Sequence, residues 1–448
     1  HALPSSLAHR RRSAQSSAGF NERPPIPFAE SLSIARVASP VSIDKGYQTL
    51  FLESLKAYFQ GKRRLVRQGD LIAVRVDTGK IRWTRKGDAH DLPSAQDKES
   101  GEDGAEGALD IFSLELPCSE PSSPSSAVVF FKIMSLMPDL ESPLNEAVTT
   151  EDAVSFQSSA WTGSIGCIVD SALTKMVQTG VARCRVPDVS GWLGLSAEMP
   201  MQTNTLQGPL LEAGSPYANL CKLVSATLSP ASASVDLHLT VLLKGARGSG
   251  KRTLVRRAAR QLGVHLLELD CFDLVSDTEA RTEGILRARF EKAADAAPAI
   301  VLLHNIEALA KKSQAMETGQ EPHMTAVLRD CIKDLRLRTG SSARQRPADD
   351  MTVSDRSPHP VAVFATTCDA DKSPIGILAC FKHEISLEAP NEAERLEIIG
   401  NTLVDSVLSP DCSLKSLATQ TAALVPADLA SLTARARQAA VERMFQSL

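Results

Sequence analysis

The 448-residue sequence has no C-x-x-C pair, no long apolar run and no surplus of basic residues. Nine cysteines, at 118, 167, 184, 221, 271, 331, 368, 380 and 412, are scattered singly. An odd count spread over predicted strands and helices reads as buried, reduced thiols of a cytosolic protein, and it argues against a disulfide framework or a zinc site. The longest apolar runs, such as AIVLL at 299–303, fall far short of the roughly 20 residues a membrane helix needs. A net charge of −4 and a pI near 6.2 exclude a broad basic surface for nucleic acid or anionic lipid. Nor is there a track of Arg and Lys interleaved with aromatics.

What is present is ordinary for a core-forming protein: 43% hydrophobic and 23% charged residues. At about 150 residues per domain the length suggests about three domains. The chain opens on His rather than Met, which reads as a fragment or a processed chain. Its first stretch is rich in Ser and Arg and lacks acids, as a transit peptide would be; a disordered tail over 1–40 is the simpler account.

Residues 41–234 read as β-rich interaction domains. YQTLFLESLKAYFQ, from Tyr47, has helical apolar spacing, DLIAVRV (70–76) alternates like a strand, and AVVFFKIMSL (127–136) is a buried strand. Between these strands an acidic, Ser/Pro-rich stretch over 91–126 predicts a long mobile insertion. The second half changes rhythm. VDLHLTVLLKG (235–245), VHLLELD (264–270), AIVLLHN (299–305) and VAVFATT (361–367) are strands alternating with helices at 251–263 and 282–296. That alternation predicts a parallel sheet covered on both faces over 235–390. A polar insertion is expected over 338–360. Residues 391–448 read as a helical subdomain, opened by Asn391 and Glu394 in capping-box spacing.

The stretch GARGSGKRT runs from the end of one predicted strand into the next helix. Glycines there allow backbone amides to point inward around phosphate oxygens, and the helix N-terminus adds a favourable dipole. The candidate nucleotide-binding residues are Gly245, Ala246, Arg247, Gly248, Ser249, Gly250, Lys251, Arg252 and Thr253, with Lys251 reaching the β- and γ-phosphates. The position after Lys251 should hold a Ser or Thr whose hydroxyl ligates magnesium, but it holds Arg252. Thr253, rotated by roughly 100° along the helix, does not simply replace it. Two readings of Arg252 stand: its side chain points into solvent, or its guanidinium supplies part of the cation's charge.

The apolar strand that should end in Asp-Glu, one residue for magnesium and one to polarise water, ends in His304 and Asn305. Neutral His is a poor magnesium ligand and Asn cannot act as a base. Losing the base alone costs on the order of 10² to 10⁴ in rate. Glu307 stands two residues too far along to be taken as a substitute.

Taken with VAVFATT…EISLEAPNEAERLEII (361–399) and LVPADLASLTARARQAAVERM (424–444), these elements resemble an AAA+ ATPase module over about 235–448. The resemblance implies an α/β fold: a P-loop module with a parallel sheet flanked by helices and a small helical lid, preceded by β-rich N-terminal domains. LLKGARGSGKRTLV, LGVHLLELDC, QTGVARCRVPD and KAYFQGKRRLVRQGDLIAV look most like the peroxisome assembly factor two family of fungal peroxisomal AAA+ peroxins.

Several family residues are missing by that comparison. The sensor Asn position holds Cys368, no arginine finger stands in 376–381, and the pore-loop aromatic position falls near Thr278. His304, Asn305 and Cys368 are therefore degenerate catalytic positions, with no catalytic residue and no metal ligand left. The resemblance implies ATP as a structural cofactor, with magnesium left open, and a second, active module beyond Leu448. It further implies a cytoplasmic protein at the peroxisome membrane, in a hetero-hexamer with a related AAA+ peroxin. That assembly docks on a membrane-anchored adaptor and recycles ubiquitinated import receptors. The alternatives are a nucleotide-free assembly scaffold, or another AAA+ protein remodeller.

Overall fold

In the computed structural model the described residues are 26–77, 126–139, 166–189, 214–229, 232, 237–276, 278–310, 323–339, 359–369, 373–404 and 406–446. The expectations for residues 1–25, for 91–125 and for most of the polar insertion (340–358) lie outside them.

The N-terminal elements are β1 (Ala29–Val37), α1 (Gln48–Phe59), β2 (Arg64–Val66), β3 (Leu71–Asp77), β4 (Ser126–Pro138), β5 (Cys167–Val169) and β6 (Lys175–Ala182). Strand β1 corrects the reading of 1–40 as a disordered tail. Its sequence AESLSIARV alternates apolar and polar residues through Leu32 and Ile34, both 1% exposed, and such alternation builds a half-buried strand. Four strands pair in the order β3-β4-β1-β6.

Chain contacts cluster into two units. One comprises His1–Ala35, Lys56–Ile72 and Lys132–Thr179. There β2 and β5 pair antiparallel, with Leu65 opposite Ile168, and Arg63 Nε lies 3.1 Å from the Asp170 carboxylate. Thr174 Oγ1 donates to the Ala29 carbonyl at 2.8 Å, which ties the turn after β5 to the start of β1.

The second unit comprises Arg36–Leu55, Ala73–Phe131 and Gly180–Leu448. It holds α2 (Pro216–Leu228), β7 (Thr240–Gly245), α3 (Lys251–Leu262), β8 (His265–Asp270), α4 (Cys271–Leu274), α5 (Glu279–Asp295) and β9 (Ala299–His304). After a 3-10 turn, Ile306–Ala310, follow α6 (His323–Thr339), β10 (Val361–Thr367), α7 (Ile375–Leu378) and β11 (His383–Leu387). Helices α8 (Glu392–Thr402), α9 (Leu414–Gln420) and α10 (Pro426–Gln446) close the chain.

Strands β7 to β11 form one five-stranded sheet, in the order β11-β7-β10-β9-β8, and its four pairings are all parallel. The central strands are apolar without interruption because both their faces are covered. Leu242, Val301, Leu303, Val363 and Ala365 face one core with Leu286 and Phe290 of α5 and Leu328 and Leu335 of α6. Val241, Leu243, Ile300, Leu302 and Phe364 face the other, with Val255 and Ala258 of α3.

That second core also contains Tyr217, Leu220 and Val224 from α2. The sheet module therefore begins before residue 235, contrary to the expected boundary. The reason is that α2 carries apolar residues at helical spacing and buries them against this sheet and α3. Residues 391–446 are not helical throughout: α8 ends at Thr402 and α9 starts only at Leu414. The capping box at Asn391 is present, each backbone amide and side chain of Asn391 and Glu394 meeting at 2.8 Å.

Candidate nucleotide site

Parallel strands bring their carboxyl ends to one edge of the sheet, where ligands of such folds bind. At that edge stand the loop after β7, Asp270 at the end of β8, His304 at the end of β9 and Thr367 at the end of β10. Register fixes their spacing: Asp270 is opposite His304, and Thr367 is opposite Lys244.

The loop over 245–250 places Ala246 and Arg247 outward and Ser249 inward, 6% exposed. Gly250 caps α3 in the left-handed region, with no side-chain hydrogen bond to the helix N-terminus. Lys251 is 8% exposed. Its ammonium donates to the Gly245 carbonyl at 2.7 Å and the Ala246 carbonyl at 2.8 Å, with Ser249 Oγ at 3.4 Å. Three acceptors match its three protons.

Helix α10 begins directly over this loop. The Ala427 amide donates to the Gly248 carbonyl at 3.1 Å. Gly248 has φ +85°, and a Cβ there would lie 2.8 Å from the Ala427 Cβ and 3.1 Å from Val425 Cγ2. Only glycine fits both the conformation and the approach of the helix.

Arg252 does not simply point into solvent. Its side chain is half exposed, and its Nε donates to the Glu268 carboxylate at 2.6 Å. Arg256, one turn further along α3, binds the same carboxylate through Nε and through Nη2, the latter at 3.0 Å. His304 Nε2 stands 3.7 Å from Glu268, too far for a hydrogen bond, and is buried without a hydrogen-bond partner. Glu268 itself is largely buried. Burial pushes its carboxyl up, but His304, Arg256 and Arg252 around it outweigh that and hold it at about 2. Thr253 is exposed.

Asn305 has φ +54° and donates from Nδ2 to both Asp270 oxygens, at 3.2 and 3.3 Å. Its amide donates to Thr366 Oγ1 at 3.3 Å. Asp270 also caps α4, accepting from the Phe272 amide at 3.0 Å. Glu307 lies in the 3-10 turn beyond, with Oε2 buried and without a hydrogen-bond partner. Cys368, just past β10, is exposed. Thr278 is the N-cap of α5.

The structure thus brings Lys251, Arg252, His304 and Asn305 to one edge and leaves Thr253 in solvent. Two residues of the site escaped sequence reasoning, Glu268 and Asp270. A signal existed: Glu268 is the one charge inside the apolar strand VHLLEL, and such a charge calls for a partner. The donors do not fit a magnesium ion. The positions that should offer a hydroxyl and a carboxylate offer a guanidinium and an imidazole, and the nearby Glu268 carboxylate is already shared between two arginines.

Residues 24–186 match the family model described as the PEX6 fourth domain. Residues 241–389 match that of the ATPase family associated with various cellular activities (AAA). The chain is similar to the peroxisomal ATPase PEX6 of Komagataella pastoris, 29% identical over 464 residues, which are 98% of this chain and 34% of that protein. For the same protein of Yarrowia lipolytica the identity is 29% over 434 residues, 93% of this chain and 35% of the relative. For that of Pichia angusta it is 30% over 444 residues, 94% and 34%. The chain spans about a third of the length of the curated relatives it matches. No helix among the described residues is long and apolar enough to cross a membrane. With a PEX6-type domain followed by a five-stranded AAA module on one chain, the protein belongs to the family of fungal peroxisomal AAA ATPase peroxins.

Proposed function

We propose that the chain is the N-terminal region and first AAA module of a peroxisome-biogenesis ATPase, and that this module holds ATP as a structural ligand without hydrolysing it. In this reading it takes part in a hetero-hexamer with a related AAA+ peroxin, docked on a membrane-anchored adaptor. The assembly works from the cytoplasmic side of the peroxisome membrane and recycles ubiquitinated import receptors.

The observation that carries the reading is Asn305. It stands where a general base would polarise water, and its amide is spent on Asp270 rather than directed at a nucleophile. The glycine loop and Lys251 are meanwhile present in the sequence, which supports a reading with phosphate binding and without proton transfer.

One observation favours a nucleotide-free scaffold: Lys251 is held by the carbonyls of its own loop, and α10 sits on Gly248. Titrating the chain with a fluorescent ATP analogue, beside Lys251→Ala, separates the two. Structural binding predicts saturation that Lys251→Ala abolishes, with no ATP turnover above background. Absence of saturable binding leaves the scaffold reading, and turnover by this chain overturns both.

A further inference from the structure

A standard phosphate loop holds its nucleotide together with a divalent ion, which is fixed by the hydroxyl after the lysine and by a carboxylate at the end of the neighbouring apolar strand. Here those two positions, 252 and 304, both converge on Glu268. Arg252 binds its carboxylate at 2.6 Å, and His304 stands 3.7 Å from it. Arg256 completes the cluster with two contacts to the same group.

The replacement preserves charge. A divalent ion with one carboxylate leaves a single positive charge beside the loop; two guanidiniums with one carboxylate leave the same. It also removes the means of holding an ion. Arg252 is always protonated and repels a cation, and Glu268 has its oxygens engaged. Asp270 is engaged as well, accepting from Asn305 and from the Phe272 amide. Among the described residues no group of three His, Cys, Asp or Glu side chains is placed to hold a metal ion.

We propose that this module binds its nucleotide free of divalent metal, the cluster of Arg252, Arg256 and Glu268 standing in for the ion. The inference rests on the reading that the loop binds nucleotide at all, and the two fail differently. Phosphates are neutralised by Lys251 and by the positive excess of the cluster, both part of the fold, so chelating magnesium removes nothing from the site.

The test is equilibrium titration of the full 448-residue chain with a fluorescent ATP analogue in millimolar magnesium and again in EDTA. The expected ratio of the two dissociation constants is within about twofold. In the double variant Arg252→Ser, His304→Asp, which restores a hydroxyl and a carboxylate, affinity is expected to fall tenfold or more when magnesium is chelated. Circular dichroism confirms that the variant is folded, and the wild-type ratio stands whatever the variant does. A wild-type affinity that drops tenfold or more in EDTA overturns the inference and leaves nucleotide binding standing. No saturable binding in either buffer overturns the inference together with the reading beneath it.

Discussion

Arg252 Nε donates to the Glu268 carboxylate at 2.6 Å, which ties the first turn of α3 to the adjacent edge strand β8. Glu268 is well buried, and its other oxygen is taken by Arg256. Replacing it by Gln keeps the shape but leaves two guanidiniums without a counter-charge. Removing one partner of a buried pair is destabilising because the other stays desolvated. Part of Arg252 is in water, so the expected loss for Glu268→Gln is about 1–3 kcal/mol, read from guanidinium unfolding at pH 7.

The same carboxylate sets an acid limb. It is held at about 2, below its ordinary value of 4.5. A depressed carboxyl contributes stability that is fully present above the unfolded value and is lost as pH falls through the folded one. Wild-type stability is therefore expected to decline from about pH 4.5 towards pH 2, by on the order of 3 kcal/mol from this group. In Glu268→Gln that segment of the curve flattens.

His265, the first residue of β8, titrates in a different window. Burial lowers it to about 4 from 6.5, and its Nε2 is buried without a hydrogen-bond partner. The unfolded chain takes up a proton below pH 6.5, whereas the folded one resists until about pH 4. Stability from this group is thus present above pH 6.5 and is lost between 6.5 and 4. His265→Leu is expected to be nearly neutral at pH 8 and to remove the decline over that window, measured by unfolding at a series of pH values.

Gly248→Val places a β-branched residue at φ +85° and drives its Cβ into Ala427. The conformation alone costs about 1–2 kcal/mol. The contact can be relieved only by lifting the start of α10. Hydrogen exchange is expected to accelerate at the Ala427 amide and in the first turn of α10, while β9 and β10 remain protected.

Val186 and Gly263 form a second close approach. The Val186 amide donates to the Gly263 carbonyl at 2.8 Å, and a Cβ on Gly263, at φ +69°, would lie 2.6 Å from the Val186 carbonyl oxygen. Gly263→Ala is expected to release the segment around Val186 from the end of α3. Limited trypsin digestion should then cut faster at Arg183 and Arg185, with little change inside the sheet.

Much of the AAA module was legible without coordinates. Uninterrupted apolar runs such as AIVLL mark strands buried on both faces, and LVRRAARQL marks a helix with one apolar face. The glycine loop and the box at Asn391 are patterns within a few residues, governed by local backbone geometry. The N-terminal half was harder: β1 was hidden inside a stretch whose composition resembles a tail, and β2 and β5, three residues each, are too short to show a period.

By itself, then, the sequence determined the α/β alternation, the phosphate loop, the loss of a hydroxyl at 252 and the loss of Asp-Glu at 304 and 305. Only the tertiary structure decided what those losses mean together. Arg252 and His304 are 52 positions apart in the numbering, and nothing local connects them. The parallel register of β8 against β9 sets Asp270 beside His304 and lets Glu268 reach both α3 and β9. The same holds for α2, whose apolar face fits many surfaces as a sequence and only one once the sheet has formed. Local pattern specifies elements because their hydrogen bonds close within a few residues, whereas pairing of charges across elements depends on a register that exists only in the folded sheet.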